Sequence, residues 1–245
     1  MTAIRAGLRG LRAAPTSPHE TRGGSVLRPT VFGATDGLVA NVSLIMGVAG
    51  ASSHDPHTIV LAGIAGLVAG SFSMAVGEYV SVRSQRELLD YQVELQRHQL
   101  RYEPAEERAI LIEIYLSRGL SRAEADLIVD RLMGDPEQAL DAFVRDEIGL
   151  SAETMGSPVT AAIGSMLAFA VGAFVPLMPY LLFAGTLAFA LSIIATLGAL
   201  FLVGLGVSQL THQHPVRTGV RQAGLGFLAA VVTYGVGTLL GTAVH

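Results

Sequence analysis

The sequence predicts an all-α membrane protein: five transmembrane helices, with a cytoplasmic acidic insert of three helices between the second and the third. Three observations carry this. First, 51% of the residues are hydrophobic and 15% charged, and the mean hydropathy is +0.51. Second, charge is segregated: sixteen of the twenty acids lie between Glu87 and Glu153, and residues 154–245 contain none. Third, five segments reach the roughly 20 apolar residues that a membrane helix needs. They are residues 31–52, 58–82, 159–177, 180–207 and 220–243.

Residues 1–28 read as a cytoplasmic tail with five arginines and no continuous apolar run, so no signal-peptide cleavage is expected. Arg5, Arg9 and Arg12 have the spacing of one face of an interfacial helix, but a disordered tail is the simpler expectation. Residues 29–82 hold the first two spans and residues 158–245 the last three. The third and fourth spans are separated only by "PLMPY", read as a tight turn between two crossings. One helix over 159–207 would be too long for one crossing at about 1.5 Å per residue.

Arginine placement orients the chain. The tail has five, residues 83–157 have nine, and "SQLTHQHPVRTGVR" has two, whereas "SSHDPH" and "PLMPY" have none. The positive-inside rule therefore puts the N-terminus and both arginine-bearing connections in the cytoplasm and the C-terminus outside. A multi-pass protein of the cell membrane is expected.

Residues 83–157 change to an Arg/Glu-rich helical pattern. The second span is expected to run on through "RSQRELLDYQVELQRHQLRY". Pro104 then opens a helix with Glu106 and Glu107 in its first turn, and Gly119 stops it. "SRAE" is a capping box opening the next, which ends at Gly134, and Asp135–Pro136 opens a third, closed by Gly149. With nine arginines and sixteen acids the insert carries a net charge of −7. Glu103, Glu106, Glu107 and Glu113 crowd together, and Asp146 and Glu147 recur near its end. Such carboxylates suit hard divalent cations. By themselves they more often mark a solvated helix face.

The only acids inside the spans are Asp36 and Glu78, and the single basic residue there, Arg221, sits at the very start of the fifth. A carboxylate at bilayer depth costs roughly 2.5–3.5 kcal/mol on insertion scales unless it pairs or lines a polar cavity. Asp36 lies about 12 Å along the helix from Arg28, and Met74 and Glu78 about 13 and 8 Å from Arg83, which places all three in the inner half of the bilayer. In "GLVAGSFSMAVGE", Gly66, Gly70, Met74 and Glu78 share one ridge, and Gly33–Gly37 offers a matching small-xxx-small spacing beside Asp36. Asn41 and Ser43 continue the polar signal, Ser43 on the Asp36 face. Carboxylate oxygens with a thioether sulfur make a mixed-hardness donor set, suited to Fe²⁺ with Mn²⁺ or Co²⁺ close behind. Met74 alone would read as apolar filler, and the acids alone as a protonated pair that glues helices. Taken together the two acids favour an ion or proton route.

"GATDGLVANVSLIMGVAGA" followed by "AGIAGLVAGSFSMAVGEYVSVRSQ" resembles the vacuolar iron transporter family in its bacterial form. The resemblance extends through the acidic insert, "GAFVPLMPYLL" and "HPVRTGVRQAGLG", over about residues 28–243. It implies a five-span homodimer that carries Fe²⁺ or Mn²⁺ out of the cytoplasm in exchange for protons, with the ion path at the dimer interface between the first two spans. Asp36 and Met74 match the family's ion-path ligands. Where plant relatives have a glutamate eight residues before that methionine, this chain has Gly66, and Glu78 stands one turn beyond Met74 on the same face. The metal-binding positions of the plant insert fall here on Gln96, Gln99, Glu107, Ile110, Phe143, Val144 and Glu147, so only Glu107 and Glu147 keep the ligand type. Glu103 and Glu106 are close enough to substitute.

The expected ligands are a divalent metal ion as cargo, protons and lipid, with a second copy of the chain as partner and no cofactor or nucleic acid. The alternative is a non-transporting membrane scaffold or metal sensor acting through the acidic insert. An enzyme is not expected: there is no cysteine, no HExxH and no Ser/His/Asp arrangement, and His212 and His214 read as loop residues.

Overall fold

The computed structural model describes residues 24–52, 55–144, 157–211 and 213–244. Among these residues there are eight helices and no strand: α1 (Gly24–Ala51), α2 (Pro56–Tyr102), α3 (Pro104–Ser117), α4 (Arg122–Met133), α5 (Pro136–Phe143), α6 (Pro158–Leu182), α7 (Gly185–Thr211) and α8 (Pro215–Val244). Five of them, α1, α2, α6, α7 and α8, are long and apolar enough to cross a membrane. The chain divides into two compact units, one of residues 24–82 with the chain from 157 onward, the other holding 83–144.

In the first unit α1 is the central helix, packing against α6, α8 and α7, while α7 also packs on α8 and α6. The α1–α6 contact is backbone on backbone. A Cβ placed on Gly37 would stand 2.9 Å from the Ala173 nitrogen and nearer still to the Phe169 carbonyl, and Gly172 meets the Ala34 carbonyl in the same way. Lipid offers no hydrophobic drive for helices to associate, so this close approach and the dispersion it gives hold them together. Beyond it lies the core: Val42, Ile45 and Met46 of α1 with Ile59, Leu177, Tyr180, Ala188 and Ala230. The Ser192 hydroxyl of α7 donates to the Pro176 carbonyl at 2.7 Å and ties α7 to the end of α6.

The turn expected at "PLMPY" is corrected here. α6 runs through Pro176 and Pro179 to Leu182, and the break falls at Phe183–Ala184, with Gly185 at φ +65. Each proline removes one N–H and so frees one carbonyl. A membrane helix tolerates this where neighbouring helices shield the freed groups, and Pro176 and Pro179 are both buried.

α2 is the edge helix of this unit. Leu61, Phe72 and Val76 are 62–64% exposed, and the helix meets the bundle through Ile59, Leu67 and the glycines at 63, 66 and 70. As the sequence predicts, it continues as one helix of 47 residues into the polar segment.

In the second unit, Leu111, Ile112, Ala125, Val129, Ala142 and Phe143 form the core of α3–α5. The expected capping box is present: the Ser121 hydroxyl accepts from the Glu124 N–H, and the Glu124 carboxylate accepts from the Ser121 N–H at 2.8 Å. Asp135 caps α5 by accepting from the Glu137 N–H at 3.0 Å. α5 ends at Phe143, and Gly149 lies outside the described residues. Arg108 of α3 bridges to Asp126 and Asp130 of α4 at 3.0 and 2.8 Å.

Loss of these bonds is expected to weaken α4 and α5 in acid. The Ser121 hydroxyl and N–H hold the Glu124 carboxyl below its ordinary range, and the Glu137 N–H and Gln138 amide do so for Asp135. At Asp126 desolvation pushes upward, but the bonds from Arg122 and Arg108 leave it below its ordinary value. A carboxyl depressed in the folded state stabilises it at neutral pH and loses that contribution as pH falls through the folded value. Amide exchange in the full-length protein should therefore show α4 and α5 losing protection below about pH 4. Protection unchanged down to pH 2 would contradict this account.

Candidate functional site

Asp36 sits in α1 between Gly33 and Gly37, whose faces are turned onto α6. At about 100° per residue its carboxylate therefore leaves the helix away from that contact, on the side of Ala40 and Ser43. The side chain is half-buried and Ala40 is exposed. Farther along, Ser43, Leu44, Gly47 and Ala51 join Thr233, Val236, Gly237 and Leu240 of α8 in lining an open apolar groove of about 400 Å³.

Glycine contacts set the height of α2 against α1. Gly63 lies against Ile45, Gly66 against Asn41 and Leu44, and Gly70 shares Phe169 with Gly37. The helices run antiparallel, so opposed residue numbers sum to a nearly constant value, and Asp36 is level with residues near 72. Met74 is then about 3 Å from the Asp36 level and Glu78 about 9 Å, toward the start of α1. Both side chains are half-buried. Asp36 and Met74 thus share a height along α1 and α2, while Glu78 stands one and a half turns away. Among the described residues no three His, Asp or Glu side chains gather into a cation-sized cluster.

The acids of the insert point different ways. The backbone breaks at Glu103, which precedes α3 with φ −130 and whose carbonyl accepts from the Glu106 and Glu107 N–H groups. The Glu103 and Glu106 side chains are exposed, whereas Glu107 is only 2% exposed and accepts from the Gln96 amide at 2.7 Å. The crowding in sequence therefore does not become a cluster in space, because the helix start turns Glu107 inward and leaves its neighbours outside. Glu147 lies outside the described residues.

Two side chains near the acids have no role assigned by the sequence reading. Asn41 is 2% exposed, and its amide donates to the Ala173 carbonyl of α6 at 2.6 Å. An asparagine five residues past Asp36 in an apolar run was the available signal. Phe169 is 3% exposed and lays its ring on Gly70, a contact from a distant helix that no local pattern announces.

The family model described as the VIT family matches residues 27–238. The chain is 29% identical over 220 residues to vacuolar iron transporter 1 of Arabidopsis thaliana, covering 89% of this chain and 87% of that protein. It is 33% identical over 225 residues to vacuolar iron transporter 2 of Oryza sativa subsp. japonica, covering 90% and 89%. It is also 32% identical over 216 residues to vacuolar iron transporter homolog 2 of Arabidopsis thaliana, covering 88% and 84%. With this match running from the first span into the last and carrying Asp36 and Met74 within it, the chain belongs to the VIT family.

Proposed function

We propose that this protein is a secondary transporter that moves Fe²⁺ and/or Mn²⁺ out of the cytoplasm in exchange for protons. The observation that carries the reading is the placing of Asp36 and Met74 at one height on α1 and α2 of an otherwise almost uncharged bundle. The relatives' names support iron as cargo. An ionised Asp36 attracts the cation and the Met74 sulfur favours a borderline metal over Ca²⁺ or Mg²⁺. Protonation from the far side withdraws the carboxylate's charge and releases the ion, so the same group couples the two fluxes. Glu78, nearer the cytoplasmic end in the arginine-based topology, receives the ion first.

One chain offers too few ligands at this level, and the membrane part of α2 leaves Leu61, Phe72 and Val76 uncovered. A two-fold pairing of α1 and α2 with a second copy doubles the donor set and covers that face, so the working unit is a homodimer in the cell membrane. The insert serves as a packed helical unit, with Glu107 engaged by Gln96.

The test is uptake of Mn²⁺ or Fe²⁺ into proteoliposomes that are acidic inside. Uptake should rise with the proton gradient, acid should leave the lumen as metal enters, and collapsing the gradient should stop both. Metal entry indifferent to the gradient would remove the exchange mechanism, and no entry at all would remove the transporter.

A further inference from the structure

The polar length of α2 has two apolar faces, and the insert uses one of them. Gln96 donates to Glu107 of α3, and Leu100 packs on the core of α3–α5. About half a turn round the helix, Leu88, Tyr91, Leu95 and Tyr102 recur at the three-and-four spacing of a coiled-coil seam. They are 43–66% exposed, on a segment that is otherwise strongly polar. An apolar stripe of this length on a polar helix marks a contact surface. Its borders differ: Glu87, Asp90 and Glu94 run along one, Gln85, Gln92 and Gln99 along the other. A second copy in the same membrane would bring a parallel stripe, which sets the acidic border of each helix against the glutamines of the other. That pairing leaves the acids without a cationic partner across the seam.

The N-terminal tail has the missing charge. Residues 1–23 lie outside the described residues, join α1 at Gly24, and contain four arginines and one acid. Drawn as a helix, Ile4, Leu8 and Leu11 form an apolar stripe with Arg5, Arg9 and Arg12 along one border and only alanine and glycine along the other. We propose that residues 2–13 dock on the Leu88–Tyr102 face of α2, arginine border against acidic border, folding as they bind. Glu87 and Glu94 each hold an arginine of α2 already, Arg83 at 2.7 Å and Arg97 at 2.8 Å. Those pairs are exposed and weak, and the carboxylate oxygens can accept from a second guanidinium. Residues 14–23 remain as a connection of up to about 33 Å, against the roughly 21 Å length of the stripe.

The chain has no cysteine, so a single one can be introduced without background. In the full chain in nanodiscs, a maleimide should modify Leu95→Cys about tenfold more slowly than Leu127→Cys, a 65% exposed position of α4. Deleting residues 2–13 should remove the difference and leave Leu127→Cys as it was. Arg5→Glu, Arg9→Glu and Arg12→Glu together should do the same with the tail still present. Equal rates at the two positions in the intact chain would overturn the proposal. A slow Leu95→Cys that ignores both tail changes would overturn it too, and an inter-chain disulfide at that position would give the face to a second copy. A Leu8→Cys shielded by anionic lipid, beside a freely reacting Leu95→Cys, would give the tail to the membrane surface instead.

Discussion

Replacing Asp36 by alanine is expected to lower Fe²⁺ and Mn²⁺ transport at least about a hundredfold without loosening the bundle, given that the partners of metal ligands alone are worth 10–100-fold. The two halves of that expectation come from separate facts. Asp36 is half-buried on the side of α1 turned away from α6, while the packing against α6 runs through Gly33 and Gly37. Removing its carboxylate therefore takes away charge and leaves the glycine contact with α6 in place. Asp36→Asn sharpens the point, because it keeps the shape. An ionised group at this depth costs roughly 2.5–3.5 kcal/mol, so the asparagine should melt at the same temperature or higher while transporting as poorly as alanine. A structural acid would behave the other way, losing stability and sparing flux in the survivors. Met74→Ala should be milder, about tenfold, and should fall more heavily on Co²⁺ and Fe²⁺ than on Mn²⁺, since only the softer ions gain much from sulfur. Parallel melting curves and uptake rates for the three variants decide between these accounts. Full transport by Asp36→Asn would end the assignment of Asp36 as a ligand.

Gly37→Val should have the largest effect on stability. The added side chain meets the Phe169 carbonyl and the Ala173 nitrogen of α6, and backbone cannot rotate aside as a side chain can. Overpacking in a side-chain core costs typically 1–3 kcal/mol, and here the upper end, about 3 kcal/mol, applies. That corresponds to a drop of about 6–12 °C in melting temperature for a chain of this size. Gly198→Val is the control, because a Cβ on Gly198 meets nothing within 4 Å. The pair should separate clearly in a detergent melting assay. Equal melting temperatures would mean that α1 and α6 have slack at this crossing. Because α1 carries Asp36, a shifted α1 should also lose transport.

Much of the fold was legible in the sequence because its signals are local. Apolar length announced the five spans, and Ser121, Glu124, Pro104 and Gly134 the helix ends of the polar unit, all of which depend on neighbours a few residues away. The break after the third span was misplaced for the same reason: prolines at 176 and 179 look like a turn until the surrounding helices are present to bury them. At the site, Asp36, Met74 and Glu78 stood out by type and spacing, but the offset of Glu78 needed the glycine contacts that fix the register of α2 against α1. The acids of the insert stood out equally, yet one helix start sends Glu107 into the core and Glu103 and Glu106 outward.

The sequence by itself determined how many apolar helices the chain has and which of their side chains are ionisable, because apolar length and side-chain charge are properties of each segment taken alone. Only the tertiary structure decided which helix each small face meets: Gly33 and Gly37 went to α6, and Gly66 came to rest beside Asn41, whose oxygen has no hydrogen-bond partner among the described residues. Small-xxx-small spacing permits close approach to any partner, and the choice among partners is a sum over contacts between residues far apart in the chain.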